Sequence, residues 1–430
     1  MDKPLRVGIA GLGTVGVAVI RLLAAQAADL AARTGRRIVV AGVSARDASR
    51  DRGVDLAGAK FFADPIALAQ SDGIDLFVEL MGGAEGAARA SVQAALEAGK
   101  SVVTANKALL AKHGLELARL AEARHGALAF EASVAGGIPI VKTLREGLAG
   151  NSIERVYGIL NGTCNYILSR MELEGLSFAE CLAEAQRLGY AEADPTFDIG
   201  GFDTAHKLAI LASLAFGVKL DAESISIEGI EQISLADLQA AKQLGYRVKL
   251  LGVAQRTAHG VEQRVHPTMV PLSSPIAQVM GVTNAVTVDA DAVNELTLVG
   301  PGAGGMATAS AVVADIADIA RGIRSAPFGL PVAHLAPAEK SPMQRHEGGY
   351  YIRLETRNRI GALAAIASRM AEGGISLESI VQRGAPEAEV VPVVIITYAT
   401  TEATIRQALD AIVADGYVAE KPQVIRIERE

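Results

Sequence analysis

The chain has 430 residues, 21% of them charged, with a formal net charge of -7; that is length for about three domains at roughly 150 residues each. With an acidic balance, no Trp and 4% aromatics it lacks the basic face and stacking platforms of a nucleic-acid binder. Two cysteines make no disulfide framework, no apolar run approaches the ~20 residues of a membrane span, and the N-terminus turns glycine-rich where a secretory signal would be apolar. The expectation is a cytoplasmic protein with neither a nucleic-acid nor a membrane partner.

From residue 6 to about 130, short β-rich runs (7–10, 38–43, 74–80, 101–104, 127–131) alternate with helical stretches (15–28, 65–70, 87–98, 114–124). That rhythm predicts parallel strands joined by right-handed crossovers. Residues 132–305 are less regular. Ser177-Phe-Ala-Glu180 fits a capping box, Gly189 closes the helix that follows, and a further helix is expected from Asp203 to about Phe216. An Ala-rich helix runs to about residue 321 after the Gly-rich turn at 300–305. The polar stretch 334–349, with two prolines, reads as a linker. Beyond it come a strand (351–356), a helix (362–372), two strands (376–383, 390–399), a helix (402–414) and a strand (424–428), the βαββαβ order of a ferredoxin-like unit.

Five motifs carry candidate chemistry. Gly11-Leu-Gly13-Thr14-Val15-Gly16 follows the first strand and opens a helix, the context in which such a turn binds a dinucleotide. No carboxylate ends the second strand; Ser44 and Arg46 stand there and suit a 2′-phosphate, which leans to NADP over NAD. Thr104-Ala-Asn106-Lys107 lies at the carboxyl end of a strand, where ligands of such sheets sit. A Lys opening a helix works against the positive end of the helix dipole. Gly189–Lys207 gathers Glu192, Asp194, Asp198 and Asp203 before an apolar helix, with Asp203 and Lys207 four apart on one face. It suits recognition of an ammonium group and control of a lysine's protonation, while an N-cap aspartate with its i+4 partner explains the same pattern. Gly300–Gly305 lies either against a cofactor or against the first domain. Glu131–Pro139, with Gly136-Gly137-Ile138-Pro139, could expose carbonyls to a hard cation or simply turn a strand into a helix. Cys164 reads as a small buried hydrophobe, and the histidines (His113, His125, His206 and His266 among them) lack zinc-like spacing.

Together these pieces, with Glu79–Gly83 and Gly158–Asn165, resemble the homoserine dehydrogenases across about residues 5 to 320. The resemblance implies reversible NAD(P)H-dependent reduction of L-aspartate 4-semialdehyde to L-homoserine, on the route to threonine, methionine and isoleucine. By position Lys207 corresponds to the family's catalytic lysine, with Asp203 beside the chemistry. Glu192, Asp203 and Lys107 correspond to substrate-binding residues. Gly11, Gly13, Thr14, Val15, Gly16, Thr104, Lys107, Gly189, Gly304 and Gly305 fall at cofactor positions, and Glu131, Val134, Gly136 and Ile138 at a sodium site made mostly of main-chain oxygens. Residues 350–430 resemble an ACT domain, a ligand-sensing module, with Asn358-Arg359-Ile360-Gly361 where Asp-x-Pro-Gly is usual; threonine is the expected effector. The expected architecture is α/β. It comprises a Rossmann-type parallel-sheet domain (1–132), an α+β substrate-binding and dimerisation domain (133–335), a linker (336–349) and the ferredoxin-like ACT domain (350–430), assembled as a homodimer or homotetramer.

In this scheme a protonated Lys207, its pKa held up by the carboxylates around it, gives its proton to the developing alkoxide, and homoserine oxidation gains as pH rises above neutral. Two alternatives stand beside it. One is a semialdehyde dehydrogenase using Cys164 covalently, the other a non-catalytic NAD(P)-linked amino-acid sensor.

Overall fold

The computed structural model describes residues 3–56, 58–338, 343, 346–382, 384–385 and 387–428. The middle of the expected linker (339–342, 344–345), Arg383 at the end of an expected strand, and the terminal residues 1–2 and 429–430 lie outside the described residues.

Six strands, β1 (Leu5–Ala10), β2 (Ile38–Ser44), β3 (Lys60–Phe62), β4 (Leu76–Glu79), β5 (Ser101–Thr104) and β6 (Leu128–Ala129), pair in parallel in the order β3-β2-β1-β4-β5-β6. This is the doubly wound arrangement, with its switch point between β1 and β4. The apolar runs of β1 and β4 are buried on both faces, as a parallel sheet covered by helices requires. The helix expected over 15–28 is two helices, Thr14–Ala25 and Ala27–Thr34, bent by 75°. The backbone leaves helical geometry at Gln26 (φ -104, ψ 15). Glu131 lies in a 3-10 turn (Glu131–Ser133) beyond β6 rather than in the strand expected to 131.

A second sheet spans the rest of the molecule. Its strands are β7 (Ile153–Ile159), β8 (Ser226–Ile227), β9 (Tyr246–Thr257), β10 (Gly260–Pro271), β11 (Thr283–Ala290), β12 (Asn294–Pro301), β13 (Glu347–Arg357), β14 (Leu377–Gln382), β15 (Val390–Thr397), β16 (Thr400–Thr401) and β17 (Gln423–Ile427). The order is β12-β11-β7-β9-β10-β17-β13-β15-β14, with β8 beside β10 and β16 beside β13. The C-terminal βαββαβ order is present, its four strands antiparallel as β17-β13-β15-β14. Its helices Ala362–Glu372 and Glu402–Ala414 bury Ile366, Met370, Ile405, Leu409 and Ile412 against Tyr350, Ile352, Leu354, Val393 and Ile395.

The last strand joins this unit to the rest. β17 pairs in parallel with β10 (Thr268 with Arg426, Met269 with Ile427). Arg264, 1% exposed, meets Glu428 at 2.7 Å, and the Arg426 guanidinium meets Glu228 at 2.9 and 3.1 Å and Glu402 at 3.0 and 3.1 Å. At the other end, helix Gly305–Ala320 returns from the middle segment to the first sheet. Its Ala309, Val312, Val313 and Ile316 share one core with Val7, Ile9, Val19 and Leu23. No single helix among the described residues is long and apolar enough to cross a membrane.

Candidate active site

Helix Phe202–Phe216 is apolar and buried on nearly every face, so its two charged residues must find partners inside the protein. Gly201 caps it in a left-handed conformation (φ 88), and a Cβ there would meet Ile227 and Val265 at 3.0 Å. The chain therefore enters the helix pressed onto β8 and β10, which fixes the first turn. Asp203 does not cap its own helix. Its Oδ2 accepts from Lys207 Nζ at 2.6 Å and from Asn161 Nδ2 at 2.9 Å, and its Oδ1 faces Lys107 Nζ at 2.9 Å. The i,i+4 pair is real, and a third element completes it: Lys107 comes from the carboxyl end of β5, across the boundary between the two halves of the molecule. Lys207 also donates to the Leu160 carbonyl at 2.7 Å.

Asn161 is the organiser that sequence inspection missed. Its Oδ1 caps helix Gly162–Glu174 by accepting from the Cys164 amide, while its Nδ2 reaches both Asp198 (2.8 Å) and Asp203. The signal was available: an Asn directly before a helical run is an N-cap candidate, and its amide remains free to bridge carboxylates. Asn106 plays the matching part on the other side, capping helix Lys107–Ala123 and donating to the Gly83 carbonyl at 2.7 Å.

Electrostatics follow from burial and pairing. Burial alone would raise the Asp203 carboxyl, but the two ammonium groups and their hydrogen bonds outweigh it, and its pKa lies well below the usual carboxylate range. Asp198 is raised, first by burial and then by Asp203. Lys207 departs from expectation: burial, with Lys107 adding to it, outweighs the attraction of Asp203 and Asp198, and its pKa is lowered. The carboxylates limit the fall but do not hold the value up, because desolvating an ammonium costs more than one shared carboxylate returns.

These groups open onto a cleft of about 710 Å³. One wall is Lys107, Asp198, Asp203 and Lys207, the other the turn Gly300–Gly304, and Gly189 and Tyr190 form the rim. The Gly300–Gly305 turn serves both of the roles left open for it. Gly304 lines the cleft, whereas Gly305 packs on Thr14 (a Cβ there would sit 3.0 Å from its Cγ2), tying the turn to the first Gly-rich loop. In that loop Gly11 (φ 100) lies against the Leu80 carbonyl and Gly16 against the Gly11 carbonyl, so neither tolerates a side chain, while a Cβ on Gly13 would meet nothing within 4 Å. Helix Thr14–Ala25 has no side-chain cap, which leaves its first amides free, and Val15 is half-buried. The open side at Gly13 and the uncapped amides fit a pyrophosphate.

Other positions are placed less simply. The Thr104 hydroxyl is committed to Glu79 Oε2 (2.7 Å) and to the Asn106 amide (3.0 Å), so it shapes the loop and is not free to face a ligand. Glu192 is exposed and absent from the cleft wall; it sits on the rim loop, whose Glu192 and Ala193 carbonyls accept from Gln186. Ser44 ends β2 and is buried, Arg46 is exposed, and Arg52, unmarked in the sequence, crosses back to the Leu12 carbonyl at 3.3 Å. In the loop of Glu131, Val134, Gly136 and Ile138, both Glu131 oxygens accept from the Val141 and Lys142 amides at 2.8 Å, and the Ile138 carbonyl accepts from Ile140. Gly136 packs on Gly302. The Glu131 carboxylate and the Ile138 carbonyl are thus engaged within the loop itself. Among the described residues no group of His, Cys, Asp and Glu could hold a metal. Cys164 is fully buried, its thiol donates to the Asp198 carbonyl, and burial with two nearby carboxylates pushes its pKa well up, the reverse of a nucleophile's setting.

Comparison with known proteins gives a consistent set of likenesses. Residues 11–131 match the family described as "Homoserine dehydrogenase, NAD binding domain" and residues 139–317 that described as "Homoserine dehydrogenase". A homoserine dehydrogenase of Pseudomonas aeruginosa is 46% identical, with 99% of each chain covered. The crystal structure of a homoserine dehydrogenase from Thiobacillus denitrificans superposes with a TM-score of 0.94 at 44% identity, over 99% of this chain and 98% of that one. A hyperthermophilic archaeal homoserine dehydrogenase in complex with NADPH superposes with a TM-score of 0.63 at 28% identity, over 74% of this chain and 97% of that one.

Proposed function

Since the chain belongs to the homoserine dehydrogenase family, we propose the following division of labour among its cleft residues. The reaction is the NAD(P)-dependent interconversion of L-aspartate 4-semialdehyde and L-homoserine, and the bound nicotinamide supplies or takes the hydride. Lys207 holds a proton at Nζ, releases it to the carbonyl oxygen in reduction and recovers it from the hydroxyl in oxidation. Asp203 sets the charge and direction of that ammonium. Lys107, on the same carboxylate, closes the first domain onto the second and faces both substrate and cofactor. Glu192 on the rim holds the amino-acid end of the substrate, which requires the 189–195 loop to swing inward. Gly11, Gly13, Thr14, Val15 and Gly16 cradle the pyrophosphate, and Gly189, Gly304 and Gly305 line the nicotinamide side. The observation that carries this is the single carboxylate of Asp203 shared by one lysine from each half of the enzyme at the floor of the cleft.

Ser44, Arg46 and Arg52 form the ribose end of the groove and favour NADP. The C-terminal βαββαβ unit is an ACT domain, threonine is its effector, and the enzyme is at least a homodimer. A monovalent cation at Glu131–Ile138 rests on the family resemblance alone, and no step is routed through it. The test is a reduced-cofactor absorbance assay with homoserine and each cofactor, with and without threonine. Turnover with kcat/KM higher for NADP and depressed by threonine is expected. Homoserine turnover that survives Lys207→Ala would overturn the assignment of the acid–base group, and a preference for NAD would overturn that of the ribose end.

A further inference from the structure

Behind the cleft wall lies a buried polar hub that the proposed chemistry does not use. Lys249, on β9, is 1% exposed, and among the described residues no carboxylate bonds to it. Its ammonium donates to Asn165 Oδ1 at 2.9 Å and to the Val279 carbonyl at 2.5 Å, with the Met280 sulfur at 3.4 Å. The Asn165 amide in turn donates to three carbonyls of one loop, those of Val279 (3.1 Å), Gly281 (2.9 Å) and Thr283 (3.2 Å). Ser169, one turn further along helix Gly162–Glu174, accepts from the Gly281 amide at 3.1 Å. Three side chains from two elements thus fold one loop inward, where a backbone alone would leave its carbonyls unpaired.

That loop leads into the cleft. Val282, Thr283 and Asn284 line it opposite Lys207. The Val282 carbonyl presses on Gly162, where a Cβ would come within 2.7 Å, directly after Asn161, which holds Asp198 and Asp203. Asn284 lies against Gly302 of the cofactor-side turn, where a Cβ would fall 2.0 Å from its Cγ. The loop therefore touches both the carboxylate cluster and the glycine turn, and its position sets the distance between them. Keeping an ammonium in such a dry place is costly: burial, with Arg247 adding to it, lowers its pKa to about 7, and the nearest acid, Glu172, is paired with Arg247 at 2.8 Å. A Met or Leu would pack there at less cost.

We propose that Lys249, with Asn165 and Ser169, is a positioning residue for the substrate: it locks loop 279–284 and thereby fixes the width of the cleft between the Lys207 cluster and the Gly300–Gly304 turn. This rests on the assignment of that cleft as the homoserine site. Lys249→Met should raise the KM for homoserine about tenfold, the order expected when a buried anchor of a binding loop is removed. The KM for NADP and kcat should stay within about threefold of wild type. Loss of fold stability alone would lower the active fraction and leave KM unmoved. Ser169→Ala, a milder change to the same hub, should raise the homoserine KM two- to fourfold and serves if Lys249→Met does not fold. An unchanged homoserine KM in whichever variant folds overturns the proposal. Full turnover in Lys207→Ala would instead overturn the cleft assignment beneath it.

Discussion

Asp203 and Lys207 form an i,i+4 pair, yet removing one should not mirror removing the other. In Lys207→Met the Asp203 carboxylate keeps Asn161 on Oδ2 at 2.9 Å and Lys107 on Oδ1 at 2.9 Å. Asp203 Oδ2 gives up one of its two donors, and the Leu160 carbonyl loses its Lys207 donor, a loss of about 1–3 kcal/mol. That loss is partly offset because a desolvated ammonium is gone and a methionine of similar length fills its place. The net cost should be about 0–2 kcal/mol, while turnover falls about 10²- to 10⁴-fold with the acid–base group. In Asp203→Ala, Lys207 keeps one carbonyl and loses its counter-charge, and Lys107 faces it with nothing between them. Breaking a buried pair from that side costs about 3–5 kcal/mol. Urea unfolding of both variants, with cofactor titration and single-turnover rates, measures each quantity. The reasoning is refuted if Asp203→Ala is as stable as Lys207→Met, or if Lys207→Met turns over within tenfold of wild type.

Three more expectations follow from the electrostatics and the sheet. Because Lys207 titrates below the ordinary lysine value of 10.5, homoserine oxidation should rise with pH to a midpoint below that value, with reduction falling over the same range; an oxidation profile flat from about pH 7 to 10 would count against it. Glu131 is raised from 4.5 to about 7 by burial and Asp315, and Asp315 is raised to about 6 by burial. The folded protein keeps protons that the unfolded chain sheds, so this stability is complete below about pH 4.5 and declines as pH rises through 7, by about 3 kcal/mol for Glu131. Glu131→Gln should at least halve the fall in urea midpoint between pH 5 and 8; an unaltered slope rejects the assignment. Truncation after Gly348 should give an aggregating protein, because it removes Glu428 from buried Arg264 and strips β17 from the edge of β10. A monodisperse, fully active truncation would contradict this.

The parallel-sheet domain was legible because its strands are apolar on both faces and its glycines sit where the backbone demands them: Gly11 against Leu80, Gly16 against Gly11. The C-terminal unit was legible for the same reason of clean periodicity. β9 and β10 were not. β10 is buried along ten of its twelve residues, so polar and apolar positions do not alternate, and its Glu262, Arg264 and His266 look like a surface run until Glu428 and His346 arrive from far along the chain. β3 is too short at three residues to carry a pattern. In the site, Lys207 and Asp203 announced themselves by spacing, but Asn161 and Lys249 hold the site through partners 30 to 84 residues away, which no local window contains. The protonation of Lys207 was misjudged for a related reason: the sequence shows how many carboxylates are near, and only the fold shows that burial outweighs them and that Lys107 shares Asp203.

The most direct test is a crystal structure of the enzyme with NADP⁺ and homoserine. The account predicts Lys207 Nζ at about 2.6–3.2 Å from the homoserine hydroxyl, with the carbon bearing that hydroxyl about 3–3.5 Å from nicotinamide C4. A ternary complex in which that ammonium still spends its bonds on Asp203 and Leu160, with the hydroxyl held elsewhere, would contradict it.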